Sequence, residues 1–202
     1  MNKNNDCTLS DCPIIQFNQW LDEATRTEIN DPGAMALATC TKEGIPSVRM
    51  VLLKQANQNG FKFHSNAESQ KGTEIADNPH VSLCFHWKTL RKQVRIDGKI
   101  EIVSADEADA YYKTRPYNRK IGAWASEQSR PLASRGVLEE RIKEYESQYP
   151  EGSDIPRPEN WVGYRVIPSK IEFWMDNPDR LHDRFVYTLK DNGQWDITRL
   201  YP

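Results

Sequence analysis

Short runs of alternating apolar and polar residues, separated by turn-forming residues, leave this chain few choices of fold. AMALATCT (34–41), PSVRMVLLK (46–54), FKFHS (61–65), VSLCFHW (81–87) and KQVRIDGKIEIV (92–103) carry the two-residue spacing and the β-branched and aromatic side chains of strands. Lys42-Glu43-Gly44 and Asn57-Gln58-Asn59-Gly60 supply turns between the first three. The pattern returns in WVGYRVIP (161–168), KIEFWM (170–175), RFVYTLK (184–190) and QWDITRL (194–200). Asp191-Asn192-Gly193 sits between the last two, and Asn-Gly in that setting signals a hairpin. Gly98 inside the longest run predicts a bulge or bend. Strands and helices do not alternate regularly, which argues against a doubly wound sheet. A mostly antiparallel β-barrel with peripheral helices is expected.

Five stretches read as helices. Over 13–28, Ile14, Phe17, Leu21 and Ala24 fall near helical spacing with Trp20 flanking them, and Asn30-Asp31-Pro32-Gly33 ends the segment. A short helix spans 69–78 and closes at Asn78-Pro79. Ser104 and Glu107 are spaced as a capping box at the start of SADEADAYYKTR, which stops at Arg115-Pro116. KIGAWAS (120–126) is another short helix. SRGVLEERIKEYESQY (134–149) reads as amphipathic, with Val137, Ile142 and Tyr145 among its apolar positions. The Pro-rich 152–161 segment is an extended connector, so residues 13–202 form one expected domain behind a polar, mobile tail at 1–12.

Charge and cysteine usage narrow the function classes. The chain has 27 Lys+Arg against 29 Asp+Glu, a formal charge of −2, so neither nucleic acid nor an anionic membrane is an expected partner. No apolar run reaches the ~18 residues of a membrane span, and the first residues lack a secretory h-region. A cytoplasmic protein is expected. Cysteines 7, 12, 40 and 84 form no CxxC and read as free thiols of a reducing compartment, with Cys40 and Cys84 inside strands. Histidines 64, 80, 86 and 182 show no HExxH, and no metal is expected. GxGxxG and GxxxxGK[ST] are both absent, so any phosphate must be held by side chains.

Cations gather where strands should end: Arg49 and Lys54, Lys71, and Arg115, Arg119 and Lys120. Each alone reads as solvated surface; several converging would make a dianion site. Arg49 interrupts an apolar run, where an unpaired charge is costly. In IEFWMDNPDRLHDRF, Trp174 stands at a strand end, and Arg180, His182 and Arg184 fall on alternate positions. If extended, that segment turns all three to one side, where they could contact a flat, electron-rich ligand. Asp179 and Asp183 equally permit a charge-balanced surface turn.

RMVLLK (49–54), SNAESQKG (65–72), Gln93 in RKQVRIDG, YYKTRP (111–116), IGAWASEQS (121–129), IEFW (171–174), RLHDRF (180–185) and ITRLYP occur in an order and spacing that resemble the pyridoxamine 5′-phosphate oxidase family. The resemblance implies an FMN-binding split β-barrel, and a homodimer with FMN at the subunit interface. It also implies oxidation of pyridoxamine or pyridoxine 5′-phosphate by O2 to pyridoxal 5′-phosphate. By position, Arg49, Met50, Val51, Leu52, Leu53, Lys54, His64, Ser65, Gln70, Lys71, Gln93, Gln128, Ser129, Trp174 and Arg184 would bind FMN. Lys54, Tyr111, Arg115, Arg119, Arg180, Leu181 and His182 would hold the substrate, with Arg180 and His182 nearest the chemistry and His182 able to move a proton. Gln93 and Arg184 would stabilise negative charge on the reduced flavin. Gln70 stands where many members carry Arg, and Arg119 where many carry Ser.

Overall fold

Two-residue alternation forms nine strands in the computed structural model, which describes residues 9–202. They are β1 (Ala34–Cys40), β2 (Pro46–Leu52), β3 (Gln55–Asn57), β4 (Gly60–Asn66), β5 (His80–Trp87), β6 (Lys92–Ile102), β7 (Trp161–Met175), β8 (Asp183–Leu189) and β9 (Trp195–Leu200). Every pairing is antiparallel. The order is β2-β1-β5-β6-β7-β4-β3, with β8 and β9 branching from β7. The branch arises because β7 changes partner along its length. Residues 161–166 pair with β4 and residues 170–175 with β8, while β6 follows both halves. The result is the split barrel expected from the sequence.

WVGYRVIP and KIEFWM are thus one 15-residue strand rather than two. Pro168 is tolerated inside it because the β6–β7 register shifts between Asp97 and Gly98, opposite the proline. A Cβ on Gly98 would lie 2.1 Å from the Ile167 carbonyl oxygen, so the close approach admits only glycine.

Helix α1 (Pro13–Thr27) starts on a proline and closes one face of the sheet. Phe17 is fully buried, with Phe61 and Phe85 rings each 4.9 Å from its own. Trp20 lies in the buried stripe, edge-on to Phe173, while Leu21 takes the flanking position, the reverse of the expected assignment. The expected tail at 1–12 falls mostly outside the described residues. Of its last four, Leu9 and Cys12 pack against the core, and Tyr187 donates to the Ser10 carbonyl at 2.7 Å. The packed chain therefore begins before Pro13.

The other helices are α2 (Gln70–Asp77), α3 (Ala105–Lys113), α4 (Tyr117–Ala125) and α5 (Arg135–Gln148). Ser69, Ser104 and Ser134 cap α2, α3 and α5 with their hydroxyls. α4 begins three residues before the expected KIGAWAS segment, immediately after Pro116. α5 buries no residue, contrary to its expected amphipathic role, and leans on α4 through Trp124 and Tyr145. Cys12, Cys40 and Cys84 are free and half-buried.

Gly98→Ala should lower the unfolding free energy by about 2–3 kcal/mol, because the bulge has no room for a methyl group. The urea midpoint measures this; an unchanged midpoint would show that the bulge can open freely.

Candidate active site

Four cations surround a cavity of about 310 Å³ that has no carboxylate in its lining. Lys54 follows β2, Lys71 lies in the first turn of α2, Arg115 ends the α3 segment and Arg119 sits in α4. Met50, Val51, Leu52, His64, Ser65, Tyr111, Gln128 and Trp161 complete most of the wall. Eleven residues expected at the site from the sequence thus meet here, drawn from segments far apart in the chain.

Lys71 is 7% exposed, and among the described residues its ammonium donates only to neutral oxygens, Ser69 Oγ at 2.9 Å and Gln128 Oε1 at 2.8 Å. Burial first, and the Arg49 guanidinium second, push its pKa down to about 8. Arg115 stacks 4.6 Å above Trp161, and its buried Nη1 has no hydrogen-bond partner among the described residues. Burial lowers its pKa as well. Glu74 offsets the Lys71 charge only in part, a desolvated cation with no direct ion pair is costly, and a phosphate would satisfy both Lys71 and Arg115 Nη1. The residues present therefore fit a phosphate-bearing cofactor or substrate.

His64 presents its ring parallel to both Tyr111 and Trp161, at 4.2 and 4.8 Å between centroids. It stands opposite Gly163 in the β4–β7 ladder, where a Cβ would sit 3.1 Å from the imidazole. Both ring nitrogens are buried without hydrogen-bond partners among the described residues. Burial, then Lys62, Arg115 and Lys54, push its pKa down to about 4. The neutral ring acts as a planar spacer beneath Tyr111.

Arg49 and Gln70, two residues expected to bind FMN, both reach Glu74 in this structure. Arg49 donates through Nη2 to Glu74 Oε2 at 3.1 Å and to Ser47 Oγ at 2.5 Å, and Gln70 donates to Glu74 Oε1 at 2.9 Å. Burial would raise the Glu74 pKa, but hydrogen bonds from Ser47, Thr39, Gln70 and Arg49 bring it to about 2. Arg49 thus faces a buried carboxylate on the core side of β2, not the cavity. Leu53 packs against the core, and Ser129 takes a left-handed φ of 73° in the loop after Gln128.

The remaining expected residues form a second group. Gln93, Trp174 and Arg184 pair in one row across β6, β7 and β8. Leu181 and His182 line a separate cavity of about 430 Å³ with the chain's last residues. Of the two readings open for the segment from Arg180, the surface turn is the one that forms. Pro178–Arg180 is a 3-10 turn in which Asp179 and Arg180 are both left-handed, so alternation starts only at Asp183. His182 packs against Trp174, with Nδ1 3.2 Å from the Asn177 N–H and 3.1 Å from Asp176 Oδ1. With Nδ1 bare the ring accepts from the Asn177 N–H; with a proton on Nδ1 it donates to Asp176. Trp161, Glu74 and Asp176 were not singled out from the sequence, because their partners are distant along the chain.

His64 binds its proton far less readily when folded than its ordinary value near 6.5. Its neutral burial therefore contributes stability that is lost as pH falls from about 6.5 toward 4. His64→Phe should show a smaller drop in urea midpoint between pH 7 and pH 5 than the wild type; equal drops would remove His64 from the acid response.

Residues 21–149 match the family model described as pyridoxamine 5′-phosphate oxidase, and residues 161–202 match a pyridoxine 5′-phosphate oxidase C-terminal dimerisation region. A pyridoxine/pyridoxamine 5′-phosphate oxidase from Mesorhizobium japonicum is 56% identical over 94% of this chain and 92% of its own. One from Gluconobacter oxydans is 53% identical over 96% of this chain and 100% of its own. Among solved structures, PhzG from Burkholderia lata, bound to tetrahydrophenazine-1-carboxylic acid, superposes with a TM-score of 0.91 at 30% identity over 100% of this chain and 98% of its own. A related FMN-binding protein from Nostoc punctiforme shares the fold, with a TM-score of 0.76 at 16% identity over 96% of this chain and 100% of its own. The chain belongs to the pyridoxamine 5′-phosphate oxidase family.

Proposed function

We propose that the chain uses FMN and O2 to oxidise pyridoxine or pyridoxamine 5′-phosphate at C4′, giving pyridoxal 5′-phosphate. The observation that carries this reading is the cavity lined by four cations and, among the described residues, by no carboxylate, which suits phosphate-bearing ligands. Bound FMN would accept a hydride equivalent from the substrate and pass the electrons to O2. Lys71, Ser65 and Gln128 would hold the flavin phosphate, since Gln128 Oε1 accepts from both of the others. Lys54, Tyr111, Arg115 and Arg119 would grip the substrate phosphate. Gln93, Trp174 and Arg184 would face the flavin ring, with Arg180 and His182 beside the reacting carbon.

The two groups lie at different ends of β7. Trp161 begins the half of the strand that pairs with β4, and Trp174 lies in the half that pairs with β8, so the two groups stand in different parts of a single chain. A homodimer resolves this if the cation cavity of one protomer meets the Trp174 row of its partner. Val48, Met50 and Leu52, exposed along edge strand β2, supply apolar surface for such a contact.

The purified protein should show a flavin spectrum that bleaches when pyridoxine 5′-phosphate is added without oxygen. A flavin that stays oxidised would indicate another substrate. Arg119 is exposed, lines the cavity beside Arg115 and has no ion pair among the described residues. Arg119→Ala should raise KM for pyridoxine 5′-phosphate about tenfold, with kcat nearly unchanged; a KM within about twofold of wild type would place this guanidinium in solvent.

A further inference from the structure

We infer that Glu172 is a positioning residue that sets the charge Arg184 presents to the flavin, with Arg95 restoring the positive balance. The inference rests on the flavin reading above. Glu172 lies on β7, two residues from Trp174, with its side chain only 6% exposed. Its Oε1 accepts from Arg184 Nε at 2.8 Å, and its Oε2 accepts from Arg95 Nη1 at 3.4 Å. The strand register builds this triad. Arg95 pairs with Glu172, and Trp174 pairs with Arg184, so the three groups share the sheet face that carries Gln93 and Trp174.

A buried carboxylate needs one cation to offset its charge. Here two arginines share it, and the triad keeps one net positive charge. The arrangement also fixes direction. Arg184 commits Nε to Glu172 and Nη1 to the Tyr201 carbonyl at 3.2 Å, while Nη2 has no acceptor among the described residues. The guanidinium plane is therefore held from two sides, with one corner left for a ligand. Reduction adds negative charge to a flavin, so a nearby positive charge favours the reduced form and a negative charge opposes it. Glu172 should hold the flavin potential below what Arg184 alone would give, and Arg95 should raise it again.

The test is the FMN midpoint potential of the purified holoprotein, by dye equilibration, in wild type, Glu172→Gln, Arg95→Gln and the double variant. Glu172→Gln should shift the potential upward, equivalent to about fivefold tighter relative binding of reduced over oxidised FMN. Arg95→Gln should shift it downward and by less, because Arg95 is 45% exposed. The double variant has the same net charge as wild type and should return toward it. A purely structural role would weaken thermal stability without opposing shifts. Unchanged potentials, or shifts in the same direction, would overturn the inference while leaving the flavin reading intact. A wild-type protein that retains no FMN would overturn both. If Glu172→Gln does not fold, the sign of the Arg95→Gln shift decides.

Discussion

The long strand β7 must satisfy β6 along nearly all its length while exchanging β4 for β8 midway. A flat ladder cannot do this. The register shift at Gly98 lets the strand bend as Pro168 passes, with β6 backbone close against Ile167 and no side chain between. Each functional group is anchored to one half of this strand. Trp161 and Gly163 lie in the β4-paired half, beneath His64 and Arg115. Glu172 and Trp174 lie in the β8-paired half, holding Arg184 and His182. The fork that makes the barrel split therefore also separates the phosphate-binding region from the proposed ring-binding row.

Carboxylates sort the cations into two kinds. Glu74 takes Arg49, and Glu107 takes both Lys62 at 2.8 Å and Arg165 at 2.7 Å. Those cations brace strand to helix, and their charge is spent inside the protein. Lys71, which is buried, and Arg115, which is half-buried, form no ion pair with a carboxylate among the described residues. The fold carries this as a standing electrostatic cost, visible in the lowered pKa of both groups. Such a cost is ordinary at a binding site, where an anionic ligand supplies the missing charge. Residue type alone does not separate Arg49 from Arg115; only the partner does.

This explains what the sequence could and could not reveal. Alternation and turn residues located most of the strands, and the serine caps and prolines located the helices, because those signals act over a few residues. Gly98 was legible as a bulge for the same reason. Missed features depend on tertiary partners. The Arg49–Glu74 ion pair, for example, joins residues 25 apart, and Glu74 carries no local mark of its role. For RLHDRF the spacing admits either an extended run or a surface turn, and the turn forms at Asp179 and Arg180, with Asp176 and Asn177 holding His182 and the Leu181 carbonyl. The α5 helix looked amphipathic, yet its apolar positions find little to cover in one chain.

In the proposed dimer, that unfilled surface and the divided site have a common origin. The outer face of the sheet runs from Met50 through Ala36, Cys84 and Arg95 to Glu172. Small alanines on β1 leave a shallow strip beside the exposed β2 residues, and the charged triad closes its far end. A second protomer covering this face would bury Val48, Met50 and Leu52 and would also exclude water around Arg184. Excluding water strengthens every charge interaction there. Association and the electrostatics of the flavin site are then one physical event. A change that loosened the β2 contact would weaken the effect of Glu172 and Arg95 on the flavin without touching either residue.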